Sequence, residues 1–260
     1  MMRFLYTILF STFLCFGNLA LSQETYEPLP CLNRNFSIVV HIAKDSFGAP
    51  NITEAEISAK IEAIEPFFED ICVTFEICEF RYIDNFQYDD LDAGSPFNWN
   101  QLQIDHHVNS HINMFFVASI SGGESFATQG GITQLNSGGL VIKKSDGSGA
   151  IVHEMGHYFG LYHTFEGSQS ATPELVDGSN CATTGDLICD TPADPYYSTP
   201  FIVWVDNNNE FIYMGQDANG DYYIPHVENI MSYYPGGCEF TYQQYLRMAN
   251  TYLGSNPKMW

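Results

Sequence analysis

Basic residues are scarce in this chain of 260 residues: Lys and Arg number 9, Asp and Glu number 31, and the formal net charge is −22. Proteins that bind nucleic acids need clustered Lys and Arg side chains to contact the phosphates. The composition therefore argues against nucleic acid as a partner. It favours a soluble protein with an acidic surface.

Long apolar runs are also scarce, and the one candidate lies at the N terminus. Residues 1–22, "MMRFLYTILFSTFLCFGNLALS", combine Arg3, an apolar stretch and a small-residue end before Gln23. This order predicts a secretory signal peptide rather than a membrane anchor, because the apolar core is short for a span of roughly 20 residues. No later segment is apolar enough to cross a bilayer. We therefore expect a secreted protein, extracellular or periplasmic, with no membrane anchor.

The use of cysteine also fits export. Of the seven cysteines, Cys15 lies in the predicted signal peptide. The others form an even set that suits disulfides in an oxidising compartment. They are Cys31, Cys72, Cys78, Cys181, Cys189 and Cys238. We expect Cys72 to pair with Cys78 or Cys31, and Cys238 to pair with a cysteine of the 181–189 loop.

The rest of the chain is apolar enough, at 45% hydrophobic residues, to form one sizeable domain. After a short lead-in over 23–35, the patterning predicts an α+β domain over 36–260. Strands and helices alternate up to Gly160, and the sequence beyond it is mostly loop-like. Strands are predicted at 36–43, 72–83, 111–120 and 138–144.

Two helices and several loops complete the predicted domain. Thr53 and Glu56 have capping-box spacing and open an amphipathic helix, and a last helix fits "FTYQQYLRMANTYL" (240–253). The segment "GGESFATQGG" (122–131) is predicted to be a loop that precedes the edge strand of the sheet. The segment "FIVWVDNNNEFIYMGQDANGDYYI" (201–224) resembles two short strands around an Asn-rich turn.

The segment "IVHEMGHYFGLYHTF" (151–165) holds three histidines and a glutamate within eleven residues. On a helix with about 3.6 residues per turn, His153 and His157 lie one turn apart on the same face, so both rings can reach one metal ion. Gly160 can adopt a positive φ, end the helix and return His163 to the same point. Three neutral imidazoles and an open position are typical of a catalytic zinc site, whereas structural sites usually have four protein ligands.

The position of Glu154 indicates the chemistry of such a site. Glu154 follows His153 directly, which places its carboxylate beside the metal rather than on it. Because zinc lowers the pKa of its water toward about 7, Glu154 can accept a water proton as general base and later deliver it to the leaving amine. The pattern therefore predicts metal-assisted hydrolysis without a covalent intermediate.

The pattern H-E-x-x-H-x-x-G-x-x-H resembles the zinc motif of the metzincin metallopeptidases. Other segments are similar to the pappalysin group of metzincins, peptidase family M43. They are "GDLICDTPADP" (185–195), "NIMSYY" (229–234) and "FTYQQYLRM" (240–248), and the resemblance spans about 36–254. It implies a two-lobed metzincin fold. The upper lobe (36–160) would hold a twisted mixed sheet and the active-site helix, and the irregular lower lobe (161–260) a methionine turn and a C-terminal helix.

The same resemblance implies roles for residues outside the histidine segment. Met231 is the candidate methionine of the turn beneath the zinc. Tyr233 is the candidate side chain that stabilises the oxyanion. Asp186, Asp190 and Thr191 are candidate ligands of a structural calcium ion, since hard oxygen ligands suit calcium. An ordinary turn accounts for these three residues nearly as well.

We therefore predict a secreted zinc metalloendopeptidase that binds one catalytic zinc ion and acts on protein or peptide substrates as a monomer. Two alternatives stay open: a non-catalytic zinc protein that binds a peptide or matrix partner, and a zinc hydrolase of a non-peptide amide or ester. Glu154 argues against the first, and a predicted edge strand, with which a peptide backbone can pair, argues against the second. Residues 235–237, "PGG", stand where some pappalysin-type enzymes carry an acidic side chain that selects a basic residue, so the sequence predicts no preference for Arg or Lys.

Overall fold

The computed structural model describes residues 27–92, 94–121, 123–128 and 138–255. The predicted signal peptide (1–22) lies outside these ranges. The described chain combines a mixed sheet with a few helices, which confirms the predicted α+β fold class. The strands are β1 (Arg34–Ala43), β2 (Val73–Ile83), β3 (Asp90–Leu91), β4 (Ile112–Val117), β5 (Ser119–Ile120), β6 (Phe126–Thr128) and β7 (Gly139–Lys143). The α-helices are α1 (Glu54–Glu62), α2 (Trp99–His106), α3 (Ser148–Tyr158) and α4 (Tyr242–Gly254).

A five-stranded sheet forms the centre of the fold, in the order β2-β1-β4-β7-β6. Strands β2, β1, β4 and β7 run parallel, and β6 is antiparallel to β7. The inner strands are covered on both faces, and in β1 every side chain from Ile38 to Ala43 is buried. Strands in this position need near-continuous apolar runs, which explains the sequence of β1.

Helices cover both faces of this sheet. Helices α1, α3 and α4 belong to the core on one face, which includes Ile57 and Phe116, and α2 contributes Leu102 to the core on the other. The predicted capping box is present: Thr53 Oγ1 accepts from the Glu56 N–H, and the Glu56 carboxylate accepts from the Thr53 N–H. In the described ranges, every helix is too short or too polar for a bilayer span.

The edge of the sheet is not where the sequence predicts it. The predicted loop 122–131 contains β6, which ends the sheet within the described residues and makes β7 an internal strand. Strand patterning misses β6 because it has only three residues and lies between glycine-rich stretches. The strand predicted over 111–120 is divided, since β4 joins the main sheet and β5 pairs with β3 in a small second sheet. The two strands predicted in 201–224 are reduced to isolated bridges.

Two disulfides crosslink the described chain, and they confirm only part of the predicted pairing. The disulfides are Cys31–Cys72 and Cys181–Cys189, while Cys78 and Cys238 are free and exposed. Cys72 therefore pairs with the second of its two predicted partners. The predicted bond from Cys238 to the 181–189 loop is wrong, because Cys181 and Cys189 close that loop on each other, with Cα atoms 5.1 Å apart.

Candidate metal centre

Helix α3 and the bend after it carry the histidine segment. His153 and His157 lie one turn apart on α3, which ends at Tyr158. Gly160 follows with a φ of 89°, a left-handed conformation that glycine adopts because it has no Cβ. Its N–H donates to the His157 carbonyl (2.9 Å), and the chain then turns back toward His163. The helix, the break and the return are those that the sequence predicts.

The three imidazole rings converge on one point. His163 Nε2 lies 3.1 Å from His153 Nε2 and 3.1 Å from His157 Nε2. The three ligand atoms all lie within 4.8 Å of one another. Nitrogen ligands about 2.05 Å from a tetrahedral zinc ion would be roughly 3.3 Å apart. The observed spacing therefore fits one metal ion shared by three histidines.

Hydrogen bonds to the opposite ring nitrogens determine how the rings face this point. His153 Nδ1 donates to the Ile230 carbonyl (2.7 Å), and His157 Nδ1 donates to the Leu161 carbonyl (2.9 Å). Both rings therefore present an Nε2 lone pair to the centre. Burial lowers the pKa of His153 to about 4 and that of His163 to about 3, so the rings are neutral at pH 7. Neutral nitrogens that face one another so closely are the donor set that a divalent cation needs.

Glu154 places an unsatisfied carboxylate oxygen beside this centre. Its side chain is 5% exposed, and the Ala127 N–H of β6 donates to its carboxylate. Its Oε2 has no hydrogen-bond partner among the described residues. Burial raises the pKa of Glu154 to about 8 when no cation is bound, and a divalent cation beside it would favour the charged carboxylate. A buried oxygen without a partner costs free energy, and this one is available to a water molecule or a substrate proton.

The predicted methionine turn lies beneath the histidines. Met231 is fully buried, and a Cβ added to Gly156 of α3 would overlap its sulfur, so the helix and the turn are in direct contact here. The centroid of the Tyr233 ring lies 4.8 Å from that of His163 and 5.5 Å from that of His153. Burial raises the pKa of the Tyr233 hydroxyl, which keeps it protonated. The fold thus brings both Met231 and Tyr233 to the histidine centre.

A buried carboxylate that the sequence analysis missed holds this turn in place. Asp194 is 5% exposed. Its carboxylate accepts hydrogen bonds from the Thr164 hydroxyl (2.7 Å), the Tyr234 hydroxyl (2.8 Å), the Tyr196 N–H (3.0 Å) and the Ser232 hydroxyl (3.4 Å). Three of these partners flank the site: Thr164 follows His163, and Ser232 and Tyr234 lie on either side of Tyr233. The one signal for Asp194 in the sequence is its place in the "DTPADP" segment.

The predicted calcium ligands accept hydrogen bonds from the chain itself. Asp190 accepts from the Thr241 hydroxyl (2.6 Å) and the Gln243 N–H (2.8 Å), at the N-terminal end of α4. Asp186 accepts from the Thr191 hydroxyl (2.9 Å), and burial raises its pKa to about 7. These bonds account for the three residues without an ion, and the calcium site stays a prediction.

One more buried carboxylate lies near the predicted calcium ligands. Glu174 is 6% exposed, and its Oε2 has no partner among the described residues. Burial, followed by the carboxylates of Asp186 and Asp194, raises its pKa to about 8. No local pattern in the sequence points to Glu174, because only the fold brings it against the segment that contains Asp186 and Asp194.

A cleft passes the histidine centre under β6. A cavity of about 510 Å³ is lined in part by His153 and Gly237, and a cavity of about 350 Å³ is lined in part by His157 and Ala127. Glu154 lines both cavities. The two cavities therefore meet at the centre, in an arrangement that can hold an extended ligand.

Comparison with curated proteins finds relatives of one kind. The chain is 31% identical over 160 residues to an extracellular metalloprotease of Pyricularia oryzae, covering 54% of this chain and 48% of that protein. It is 29% identical over 97 residues to an extracellular metalloprotease of Colletotrichum graminicola, covering 32% of this chain and 30% of that protein. The chain thus spans about half or less of the length of these relatives.

Among solved structures, metalloproteinase-II from Bacteroides fragilis is similar at a TM-score of 0.32 and 12% identity, covering 53% of this chain and 46% of that one. This structural similarity is too low to support a conclusion about fold or function. A family model matches more than half of the chain. Residues 106–252, which include the three histidines and the methionine turn, match peptidase family M43, described as Pregnancy-associated plasma protein-A. The chain therefore belongs to this family, the pappalysin group of metzincin metallopeptidases.

Proposed function

We propose that this protein is a secreted zinc endopeptidase in which His153, His157 and His163 bind the metal and Glu154 is the general base. The observation that carries the proposal is the convergence of three neutral imidazoles beside a buried carboxylate with an unsatisfied oxygen. Three protein ligands leave a coordination position open, as catalytic zinc sites do. A bound zinc ion supplies Lewis-acid activation of a water molecule and of the scissile carbonyl.

Glu154 transfers the protons in this proposal. The Ala127 N–H holds its carboxylate, and the unsatisfied Oε2 lies at the junction of the two cavities. Oε2 accepts the proton of the attacking water and then donates it to the nitrogen of the leaving amine. Because the proton returns to the products, the carboxylate is regenerated in each cycle.

Tyr233 and Met231 support the reaction in different ways. Tyr233 is 45% exposed on the cleft and lies beside His163, so its protonated hydroxyl can donate to the oxyanion that forms on the substrate carbonyl. Met231 makes no such contact. It packs against Gly156 and supports the helix that carries two of the three metal ligands.

The cleft favours a peptide as substrate. Strand β6 ends the described sheet and lines the smaller cavity through Phe126 and Ala127. An extended peptide can therefore add to the sheet as a further strand and place its scissile bond at the histidine centre. Two observations support secretion: the described chain has two disulfides, and the curated relatives are named extracellular metalloproteases.

Substitution of the general base tests the proposal. Glu154→Gln keeps the size of the side chain and all three histidines but removes the proton acceptor. We expect it to lower the rate of peptide cleavage by roughly 10²–10⁴-fold and to leave zinc binding intact. The measurement is cleavage of a mixed protein substrate by purified mature protein, with new termini mapped by mass spectrometry and zinc content determined in parallel.

Two controls make this experiment decisive. Glu62→Gln replaces an exposed glutamate at the end of α1 and should cleave at the wild-type rate. Wild type treated with a chelator should lose activity and regain it when zinc is resupplied. If wild type and Glu154→Gln both bind zinc and neither cleaves any substrate, the peptidase proposal fails and a non-catalytic zinc protein becomes the better interpretation.

A further inference from the structure

A second cluster of metal-ligating side chains lies apart from the histidine centre. The ligand atoms of His226, Glu228 and Glu239 all lie within 4.8 Å of one another, and His226 Nε2 is 2.6 Å from Glu239 Oε1. In the part of the chain that the structure describes, the histidine centre is the one other group that meets this criterion. Solvent can reach the cluster, since the side chains of His226 and Glu239 are 29% and 52% exposed.

The backbone holds these side chains on two limbs of one loop. His226 and Glu228 precede the methionine turn, and Glu239 follows it. The Glu239 N–H donates to the Glu228 carbonyl (3.2 Å), and the Ile230 N–H donates to the Glu239 carbonyl (3.0 Å). We call this place, where His226–Glu228 meet Glu239, the neck of the Met231 loop. The neck is formed by main-chain bonds, so it does not depend on what the side chains bind.

The neck carries more negative than positive charge. Two carboxylates face one imidazole, and no Lys or Arg of the described ranges forms an ion pair with Glu228 or Glu239. With a net charge of −22, the rest of the chain does not offset this excess. A bound cation would remove the repulsion between the carboxylates.

We propose that His226, Glu228 and Glu239 form a second metal site, which takes a divalent first-row transition ion such as zinc. One imidazole nitrogen with two carboxylate oxygens is a donor set that suits zinc, whereas calcium is bound by oxygens alone. The ion links the side chains of the two limbs, which the main-chain bonds of the neck already hold together. The Met231 loop also contains Ile230, whose carbonyl accepts from His153 Nδ1 (2.7 Å). Occupancy of the second site therefore stabilises the Met231 loop, which lies beneath the histidine centre.

Zinc stoichiometry separates the two sites. The mature protein, without a polyhistidine tag, is stripped of metal and titrated with zinc by calorimetry. We expect two zinc ions per chain for wild type and one for His153→Ala/His157→Ala, which lacks the histidine centre. Adding His226→Ala and Glu239→Gln to that variant should abolish the remaining binding. It should also abolish the rise in melting temperature that zinc produces.

A matched variant controls for non-specific loss of surface ligands. His111→Ala/Glu62→Gln, added to the variant without the histidine centre, removes the same two kinds of group elsewhere and should leave its single zinc site unchanged. His226→Ala/Glu239→Gln alone should still bind one zinc ion, which verifies that the neck variant folds.

The proposal is overturned if the variant without the histidine centre binds no zinc. It is also overturned if this variant binds zinc equally well with and without His226 and Glu239, because the neck would then hold only a surface ion pair. These results are read from metal binding and not from peptide cleavage. Failure of the second site is therefore distinguishable from failure of the proposed peptidase activity.

Discussion

Asp194 joins three stretches of chain through one buried carboxylate. It accepts from the buried hydroxyls of Thr164 (2.7 Å) and Tyr234 (2.8 Å), among other donors. Removal of the carboxylate leaves each buried hydroxyl without its acceptor, at a cost of about 1–3 kcal/mol per group. We therefore expect Asp194→Ala to lower the free energy of unfolding by about 3 kcal/mol. Urea unfolding of the purified protein measures this change.

An exposed aspartate provides the control for Asp194. The Asp84 side chain is 86% exposed and pairs with Lys44 at the surface. Such pairs contribute little, so Asp84→Ala should change the free energy of unfolding by less than about 1 kcal/mol. Equal effects of the two substitutions would contradict the structural role of Asp194.

At the scale of elements, helix α3 meets the methionine turn at a position that has no room for a side chain. A Cβ on Gly156 would overlap the buried Met231 sulfur, whereas a Cβ on Gly149 of the same helix meets no atom within 4 Å. We expect Gly156→Ala to destabilise the protein by about 1–3 kcal/mol through overpacking. Gly149→Ala should stabilise it by roughly 0.5–1 kcal/mol, because alanine loses less backbone entropy. Thermal unfolding compares the two variants, and a change of the same sign in both would refute the contact.

Strand β1 contains a buried histidine that makes stability depend on pH. The His41 ring stacks on Phe115 with centroids 4.3 Å apart, and His41 Nε2 lies 3.0 Å from Asn113 Oδ1. Burial lowers the pKa of His41 from 6.5 to about 4. The unfolded chain therefore binds a proton below pH 6.5 that the folded chain does not. The contribution of neutral His41 to the free energy of unfolding is therefore fully present above pH 6.5. It falls by about 3 kcal/mol as the pH drops toward 4.

His41→Phe tests this pH dependence. Phenylalanine keeps the stacking on Phe115 but does not titrate, so the variant should lose about 3 kcal/mol less than wild type between pH 6.5 and pH 4. Chemical unfolding at a series of pH values gives both profiles. Both proteins contain every other histidine, so the difference between the profiles isolates His41. Parallel profiles would assign the acid sensitivity to other groups.

Sequence patterning predicted the long elements and missed the short ones. The predicted strands at 36–43 and 72–83 match β1 and β2 because their apolar runs are long and match the periodicity of a strand. The helix that begins after Thr53 was also predicted, because its capping box is a local pattern formed by Thr53 and Glu56. The three residues of β6 are too few to show any periodicity. Strand β6 exists because β7 offers an edge to pair with, which is a property of the sheet and not of the segment.

For the molecule as a whole, the two disulfides should contribute unequally to stability. Cys31 and Cys72 are 41 residues apart, and Cys181 and Cys189 are 8 apart. In the loop-entropy model, the disulfide that closes the longer loop stabilises the folded protein by about 4 kcal/mol, and the disulfide that closes the shorter loop by about 2.5 kcal/mol. We expect Cys31→Ala/Cys72→Ala to lower the free energy of unfolding more than Cys181→Ala/Cys189→Ala. Denaturant titrations of the two double variants measure the difference, and the opposite ranking would contradict this account.

A thiol titration verifies the pairing on which this comparison depends. Mature native protein should show two reactive thiols, because Cys78 and Cys238 are free and exposed. Cys238→Ser should lower this number to one. If Cys238→Ser leaves the number unchanged or raises it, Cys238 is bonded in the native protein.

The sequence by itself determined the histidine centre, because its geometry is local. A helix places His153 and His157 on one face, and a glycine lets the chain bend back to His163. Only the tertiary structure decided what surrounds this centre: the Ala127 N–H on the Glu154 carboxylate, the buried Asp194 network and the neck of the Met231 loop. These contacts join segments that lie tens of residues apart. They depend on the packing of the whole chain, which a short stretch of sequence does not predict.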